Sequence, residues 1–191
     1  MDKLKSEAKG LSIGRDKEYR PIIEQLYAGL PAELRDSPVG KEIEDYLFPV
    51  KKYHVGDVLP DYMYVDRLGG VRHLSEFRGK RVLVDFWSMG CMPCIQSIPV
   101  LQKIYDECGD EISIISISLD TDSLWERARK EHPVSWTEWR DPSGNAGSIR
   151  SFDSRGIPTF VLVSPEGIIM DVIEGLNEEK LNGLRKKISS K

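Results

Sequence analysis

Two cysteines separated by two residues are the part of this sequence best suited to carry chemistry. Cys91 and Cys94 enclose Met92 and Pro93, and the motif lies where a predicted strand is followed by a predicted helix. The first turn of a helix presents unpaired N–H groups and a partial positive charge, which favour a thiolate over a thiol. We therefore expect Cys91 to be the more reactive nucleophile, and Cys94, one turn further on, to resolve the mixed disulfide that Cys91 forms.

The same spacing could instead supply half of a zinc site. A structural zinc needs four ligands, and the other candidates are Cys108 and three scattered histidines, with no second CxxC pair. Covalent haem attachment needs a histidine directly after the second cysteine, and Ile95 stands there. The sequence therefore predicts no metal and no separate cofactor, which leaves a redox-active disulfide between Cys91 and Cys94 as the redox group.

Two further positions could take part in thiol chemistry. Asp85 interrupts the apolar run 81–87, and a carboxyl on a covered strand is costly unless it is paired or functional. An outward-facing or salt-bridged aspartate is the alternative. Pro158 directly precedes another predicted strand, where a cis bond would leave the backbone of Ile157 free to pair with an extended substrate segment. An ordinary trans proline in a turn is the alternative there.

The elements that must position these residues follow from the hydrophobic pattern. Strands linked by helices predict an α/β fold with a parallel sheet core and right-handed crossovers, and a closing hairpin makes the sheet mixed. The predicted strands cover 62–65, 71–74, 81–87, 112–119, 134–139, 159–163 and 168–173, and the predicted helices run from Pro93 to Gly109 and over 122–131, 146–153 and 178–189.

The first part of the chain has a helical pattern and differs in this from the rest. Residues 1–53 are predicted to form a helical N-terminal extension, which is either an appendage or the remnant of an upstream domain, before a main domain over 54–191. Within the extension, residues 1–14 lack periodicity and are expected to be mobile. A helix is predicted over 16–29, and Ser37 is a candidate N-cap for a second helix.

Composition excludes several classes of function. The formal net charge is −4, which argues against a protein that binds nucleic acid through phosphate contacts. No apolar run approaches the roughly 20 residues that span a bilayer. The polar segment Met1 to Gly10 lacks the apolar stretch of a secretory signal, and three cysteines cannot form a multi-disulfide framework.

At this point a family resemblance becomes clear. The segment 84–94 resembles the active-site strand and helix of thioredoxin, and the segment 156–167 resembles its cis-proline loop and closing hairpin. The hairpin at 62–74, with the added strand and helix between the two segments, is similar to TlpA/ResA-type thioredoxin-like oxidoreductases, which are grouped with AhpC/TSA-like domains. The resemblance covers about residues 54–190 and implies a thioredoxin-like fold, with a central mixed sheet flanked by helices.

The resemblance implies a role for each matching position. Cys91 corresponds to the exposed nucleophile and Cys94 to the buried resolving thiol. Asp85 corresponds to the buried acid that relays a proton to the resolving cysteine. Around the disulfide, the positions implied to contact substrate or pack beside the sulfurs are Trp87, Pro93, Ile157 and the cis-proline Pro158.

Two departures from the family pattern stand close to the motif. Gly90 occupies a position that is usually aromatic, which removes a surface ring beside Cys91. Ser97 stands where many ResA-type proteins carry a glutamate, so proton transfer would depend on Asp85. A peroxiredoxin-like thiol peroxidase is an alternative, because Ser88 lies three residues before Cys91. A non-catalytic interaction module on the same fold is another.

The resemblance also implies partners and a setting. The partners would be protein thiols or disulfides together with an upstream electron donor. The Met-Pro dipeptide lacks the histidine of strong oxidants, and Ile157 resembles the reductive members, so a reductase is favoured. The implied setting is periplasmic or otherwise extracytoplasmic in a bacterium, with a membrane tether possible in a longer protein.

Overall fold

A computed structural model describes residues 1–14, 17–152 and 154–189 of the chain. Its backbone contacts divide the protein into two compact units, Met1–Lys51 and Lys52–Lys191. Each unit buries an apolar core of its own. Among the described residues, no helix combines the length and the apolar character that crossing a bilayer requires.

The described residues of the first unit form four α-helices. These are α1 Asp2–Ser12, α2 Arg20–Ala28, α3 Ala32–Arg35 and α4 Pro38–Leu47. The expectation that residues 1–14 are mobile is wrong for residues 2–12, because Ala8 and Leu11 of α1 are buried in the core of this unit. Leu4, Ala8 and Leu11 are apolar residues at helical spacing. A stripe of only three such residues is too short to stand out from the polar residues around it.

Helix α4 begins as its sequence predicts. The Ser37 side chain accepts a hydrogen bond from the Gly40 N–H at 3.1 Å, and Pro38 occupies the first turn, where its missing N–H costs nothing. Arg20 donates to the Leu47 carbonyl oxygen at 2.7 Å, which satisfies one of the open carbonyls at the far end of α4.

The described residues of the second unit form one mixed sheet. Its strands are β1 Met63–Val65, β2 Val71–His73, β3 Arg81–Trp87, β4 Ile112–Ser118, β5 Thr137–Arg140, β6 Thr159–Val163 and β7 Ile169–Glu174, in the spatial order β2-β1-β5-β4-β3-β6-β7. The pairs β3–β4 and β4–β5 are parallel and the other pairs are antiparallel. The predicted α/β class and mixed sheet are confirmed.

Helices cover the sheet where the site lies. They are α5 Met92–Cys108, α6 Asp122–Glu131 and α7 Glu178–Ser189. Along the central strand β3, Leu83 packs with α5 and α7 on one face, while Val84 and Phe86 pack on the other face with residues from the first hairpin and the turn at 148–152. Both faces of β3 are therefore buried, as its continuous apolar run predicts.

In the second unit, two predicted elements differ from the structure by more than one residue at an end. The fifth strand begins at Thr137 rather than at Val134, because its parallel pairing with β4 starts only at Ile115. The helix predicted over 146–153 is replaced by short 3₁₀ turns at 144–146 and 148–151, and residue 153 lies outside the described residues. The buried Asp141 carboxylate accepts from the N–H and the hydroxyl of Ser148, which holds this segment in a turn.

A pair of glycine substitutions tests the packing of α4. An alanine Cβ at Gly40 would overlap the backbone carbonyl oxygens of Leu34 and Arg35, whereas nothing lies within 4 Å of a Cβ at Gly10 in α1. We expect Gly40→Ala to lower the free energy of unfolding of the first unit by about 1–3 kcal/mol, and Gly10→Ala to raise it by up to about 1 kcal/mol. Hydrogen exchange at residues 38–47 measures both, and unchanged protection in Gly40→Ala would contradict the close approach.

Candidate active site

The two cysteines of the CxxC motif form a disulfide at the start of α5. Strand β3 ends at Trp87, a three-residue loop follows, and Cys91 is the N-cap of the helix. The Cys94 N–H donates to the Cys91 sulfur at 3.2 Å. An N–H bond together with the positive end of the helix stabilises negative charge on this sulfur when the disulfide opens.

Exposure distinguishes the two sulfur-bearing residues. Cys91 is half-buried, whereas Cys94 is only 2% exposed. The neighbouring Gly90, Met92 and Pro93 are exposed, and Gly90 places no side chain over the motif. An incoming partner can therefore reach Cys91, but it cannot reach Cys94 directly.

The loop before β6 lies against this sulfur. The Ile157–Pro158 peptide bond is cis, and the Ile157 carbonyl oxygen lies 3.6 Å from Cys91 Sγ. Antiparallel pairing of Phe86 in β3 with Thr159 in β6 brings the loop to the same end of the sheet as the disulfide. The backbone at Ile157 is thus next to the sulfur that a partner can reach.

Trp87 provides the apolar floor of the site. Its side chain is buried and packs in one cluster with Cys94 and with Ala128 of α6, and Ile157 packs against the edge of that cluster. The family resemblance implies that Trp87 packs near the disulfide, and in the structure it packs with the inner cysteine. This packing keeps water from the Cys94 sulfur.

Asp85 is buried on the same face of β3 as Trp87, because side chains two residues apart on a strand point the same way. Its Oδ2 accepts a hydrogen bond from the Ser116 hydroxyl at 2.8 Å, and among the described residues its Oδ1 has no hydrogen-bond partner. Burial raises the pKa of Asp85 to about 7, and the Ser116 hydrogen bond opposes part of that rise. Asp85 is neither outward-facing nor ion-paired with a described residue.

A short chain of hydrogen bonds stands behind Asp85. The Trp136 indole N–H donates to Ser116 Oγ at 2.9 Å, and the Ser116 hydroxyl then donates to Asp85. Ser116 lies directly opposite Asp85 in the β3–β4 register. Sequence reasoning missed both supporting residues, although a serine within the apolar strand 112–118 was a visible signal.

Ser97, on α5, forms a hydrogen bond within its own helix. Ser97 is fully buried, and its hydroxyl donates to the Cys94 carbonyl oxygen at 2.6 Å. The position at which the resemblance expects a glutamate is therefore used within the helix itself. Cys108, at the opposite end of α5, is buried and takes no part in the disulfide.

Known proteins resemble the chain over most of its length. The thiol-disulfide oxidoreductase ResA of Oceanobacillus iheyensis is 28% identical over 142 residues, which cover 70% of this chain and 72% of the relative. The thioredoxin-like protein YneN of Bacillus subtilis is 24% identical over 130 residues, with coverages of 65% and 74%.

Solved structures agree with these relatives. The thioredoxin domain of a thiol-disulfide oxidoreductase from Bacteroides vulgatus has a TM-score of 0.65 and 29% identity, and the match covers 72% of this chain and 100% of that domain. A thiol:disulfide interchange protein from a Bacteroides species has a TM-score of 0.63 and 30% identity, with coverages of 72% and 91%. The thioredoxin-like fold is thereby confirmed. Since residues 55–172, more than half of the chain, also match the AhpC/TSA family model, the chain belongs to the AhpC/TSA family, with thiol-disulfide oxidoreductases among its relatives.

Proposed function

We propose that the protein exchanges disulfides with protein partners through Cys91 and Cys94 and acts mainly as a reductase. The observation that carries this proposal is the arrangement of the two sulfurs: one accessible cysteine at a helix N-terminus, disulfide-bonded to one buried cysteine. No further cofactor is needed, because the pair itself stores and releases two electrons.

The reaction runs in two steps. The Cys91 thiolate attacks one sulfur of the partner's disulfide, forms a mixed disulfide, and releases the other partner sulfur as a thiolate that takes up a proton. The Cys94 thiolate then attacks Cys91 Sγ, which forms the Cys91–Cys94 disulfide and releases the second partner sulfur. The partner is reduced by two electrons and the CxxC pair is oxidised by two, so an upstream donor must return the pair to the dithiol.

We assign to Asp85 the role of accepting the proton of the Cys94 thiol. A buried thiol keeps its proton unless a base accepts it, and Trp87 packs against this cysteine where water would otherwise lie. Asp85 lies on the same sheet face, and a pKa of about 7 suits a group that accepts and returns a proton near neutrality. Ser116, which itself accepts from the Trp136 indole N–H, donates to one carboxyl oxygen, and the other oxygen has no hydrogen-bond partner among the described residues.

Partner binding is assigned to the surface around Cys91. The backbone of Ile157, before the cis peptide bond of Pro158, lies beside the reactive sulfur and can pair with an extended partner segment. The exposed Pro93 and the buried Trp87 complete the apolar surroundings. We assign residues 54–191 to this thioredoxin-like domain and residues 1–53 to a helical extension.

The direction of electron transfer and the cellular setting are inferred from the sequence. The Met-Pro pair between the cysteines and Ile157 before the proline favour reduction of partners. The resemblance to ResA-type proteins favours an extracytoplasmic bacterial setting, with a tether supplied by a longer chain.

The reduction potential of the Cys91–Cys94 pair tests this proposal. We expect a value near that of thioredoxin, about −270 mV, rather than the roughly −120 mV of the strong oxidant DsbA. Equilibration in graded dithiothreitol and glutathione buffers, followed by thiol trapping, measures it. An oxidising value would contradict the reductase assignment, and the absence of a reversible two-electron transition would contradict the exchange function.

Substitution of each cysteine should give opposite results with a disulfide-bonded peptide. Cys94→Ser should accumulate a mixed disulfide through Cys91, because the resolving sulfur is gone. Cys91→Ser should react at least about 10²-fold more slowly, because a buried thiol is inert. Mass spectrometry of acid-quenched mixtures detects the adducts. Equal adduct formation by both variants would mean that Cys94 is accessible to partners.

Asp85→Asn should slow the resolution step and flatten its dependence on pH. With wild type we expect the rate to rise through pH 7 as Asp85 becomes able to accept a proton, and the variant to lose roughly 10²-fold at pH 7. Stopped-flow single-turnover kinetics measures the step. Glu138→Gln is the matched control, since burial also raises the pKa of Glu138 but its carboxylate pairs with Arg129 rather than with Asp85 or the cysteines. An unchanged profile in Asp85→Asn would remove Asp85 from the mechanism.

Stability provides an independent check on Asp85. The folded protein keeps its proton up to about pH 7, whereas an unfolded aspartate releases it near 4, so the folded state binds more protons between these values. The free energy of unfolding should therefore fall as pH rises through this window, by an amount on the order of 4 kcal/mol. Urea unfolding should show that Asp85→Asn removes this fall, and a parallel pH dependence of the two proteins would contradict the raised pKa.

A further inference from the structure

The loop that carries Cys91 is short and contains a glycine. Ser88, Met89 and Gly90 join the end of β3 to the helix, and the Cys91 N–H closes a turn on the Ser88 carbonyl oxygen at 3.1 Å. Gly90 is exposed, and no atom lies within 4 Å of the place where its Cβ would be. Glycine leaves the backbone free to rotate, so this turn needs an anchor outside itself if the cysteine is to keep one orientation.

Asp120 supplies such an anchor. The Met89 N–H, in the middle of the loop, donates to Asp120 Oδ2 at 2.8 Å. A hydrogen bond to a carboxylate is stronger than one between neutral groups, and Asp120 is partly buried, which limits competition by water. The carboxylate thus ties the loop to the chain segment that follows β4.

The anchor is itself fixed to the sheet. Ser118, the fully buried last residue of β4, accepts from the Asp120 N–H at 3.2 Å and donates its hydroxyl to Asp120 Oδ2 at 3.1 Å. The Leu119 N–H donates to the Trp87 carbonyl oxygen at 2.9 Å, which extends the parallel β3–β4 ladder to the edge of the loop. The position of the Asp120 carboxylate is therefore set by the sheet, independently of α5.

We propose that Asp120 is a positioning residue for disulfide exchange: by holding the Met89 N–H, it fixes the direction of the Cys91 sulfur. This inference rests on the proposed function of Cys91. Exchange requires the attacking, attacked and leaving sulfurs to lie nearly in line, so a loop that lets Cys91 turn slows the attack by Cys94 on the mixed disulfide. Asp120 acts through the peptide of Met89 and accepts no proton in the reaction.

Three variants separate positioning from charge and from stability. Asp120→Ala removes the acceptor, whereas Asp120→Asn keeps an oxygen that can accept from Met89 and removes only the charge. Asp66→Ala is the matched control, since Asp66 accepts from the N–H groups of Leu68 and Gly70 in the turn between β1 and β2. Each reduced protein is mixed with oxidised glutathione, and stopped-flow and quenched mass spectrometry resolve the first-order loss of the Cys91 mixed disulfide across pH 6–9.

We expect Asp120→Ala to slow this resolution step about tenfold at every pH, less than the roughly 10²-fold cost of a 1 Å misplacement. Asp120→Asn should stay within about twofold of wild type, as should Asp66→Ala. Wild-type speed in Asp120→Ala would overturn the inference, as would an equal loss in Asp120→Asn, which would indicate charge, or in Asp66→Ala, which would indicate stability. Failure of wild type to react with glutathione would instead contradict the proposed function.

Discussion

The parallel pairing of β3 with β4 determines where each group of the site lies. In this register Asp85 faces Ser116 and Trp87 faces Ser118. The first pair places a hydroxyl on the buried carboxyl, and the second brings Asp120 next to the loop that carries Cys91. A shift of β4 by one residue would turn Ser116 and Ser118 to the opposite face of the sheet, so the chemistry of the two sulfurs depends on a backbone alignment that contains neither of them.

The cost of this arrangement is concentrated at Asp85. A buried carboxyl with one oxygen hydrogen-bonded and the other without a partner among the described residues is unfavourable once it ionises. The surrounding strands compensate with near-complete burial of apolar side chains on both faces of β3. A buried carboxyl within an otherwise apolar strand is typical of a position that serves function rather than stability.

The sequence predicted those parts of the site whose signals are local. The apolar run before Cys91, the helical stripe after Pro93 and the turn before β7 are each readable from neighbouring residues, and the structure has β3, α5 and β7 there. Ser116, Trp136 and Asp120 were missed, because each forms its hydrogen bond with a residue 20 or 31 positions away in the chain. Sequence patterns predict a helix where the turn at 148–151 lies, because the side chain that determines the turn, Asp141, stands outside this segment.

Because the two cysteines differ in exposure, the mixed disulfide with a partner forms at one of them only. A partner can be attached at Cys91 but not at Cys94, which is buried behind Trp87. The choice of partner is therefore made at the surface, whereas the time for which that partner stays attached is set by an interior that it never touches. Partner recognition and partner release can therefore change independently. Substitutions at the exposed residues around Cys91 can change which partner binds, while the rate at which Cys94 releases the partner stays the same.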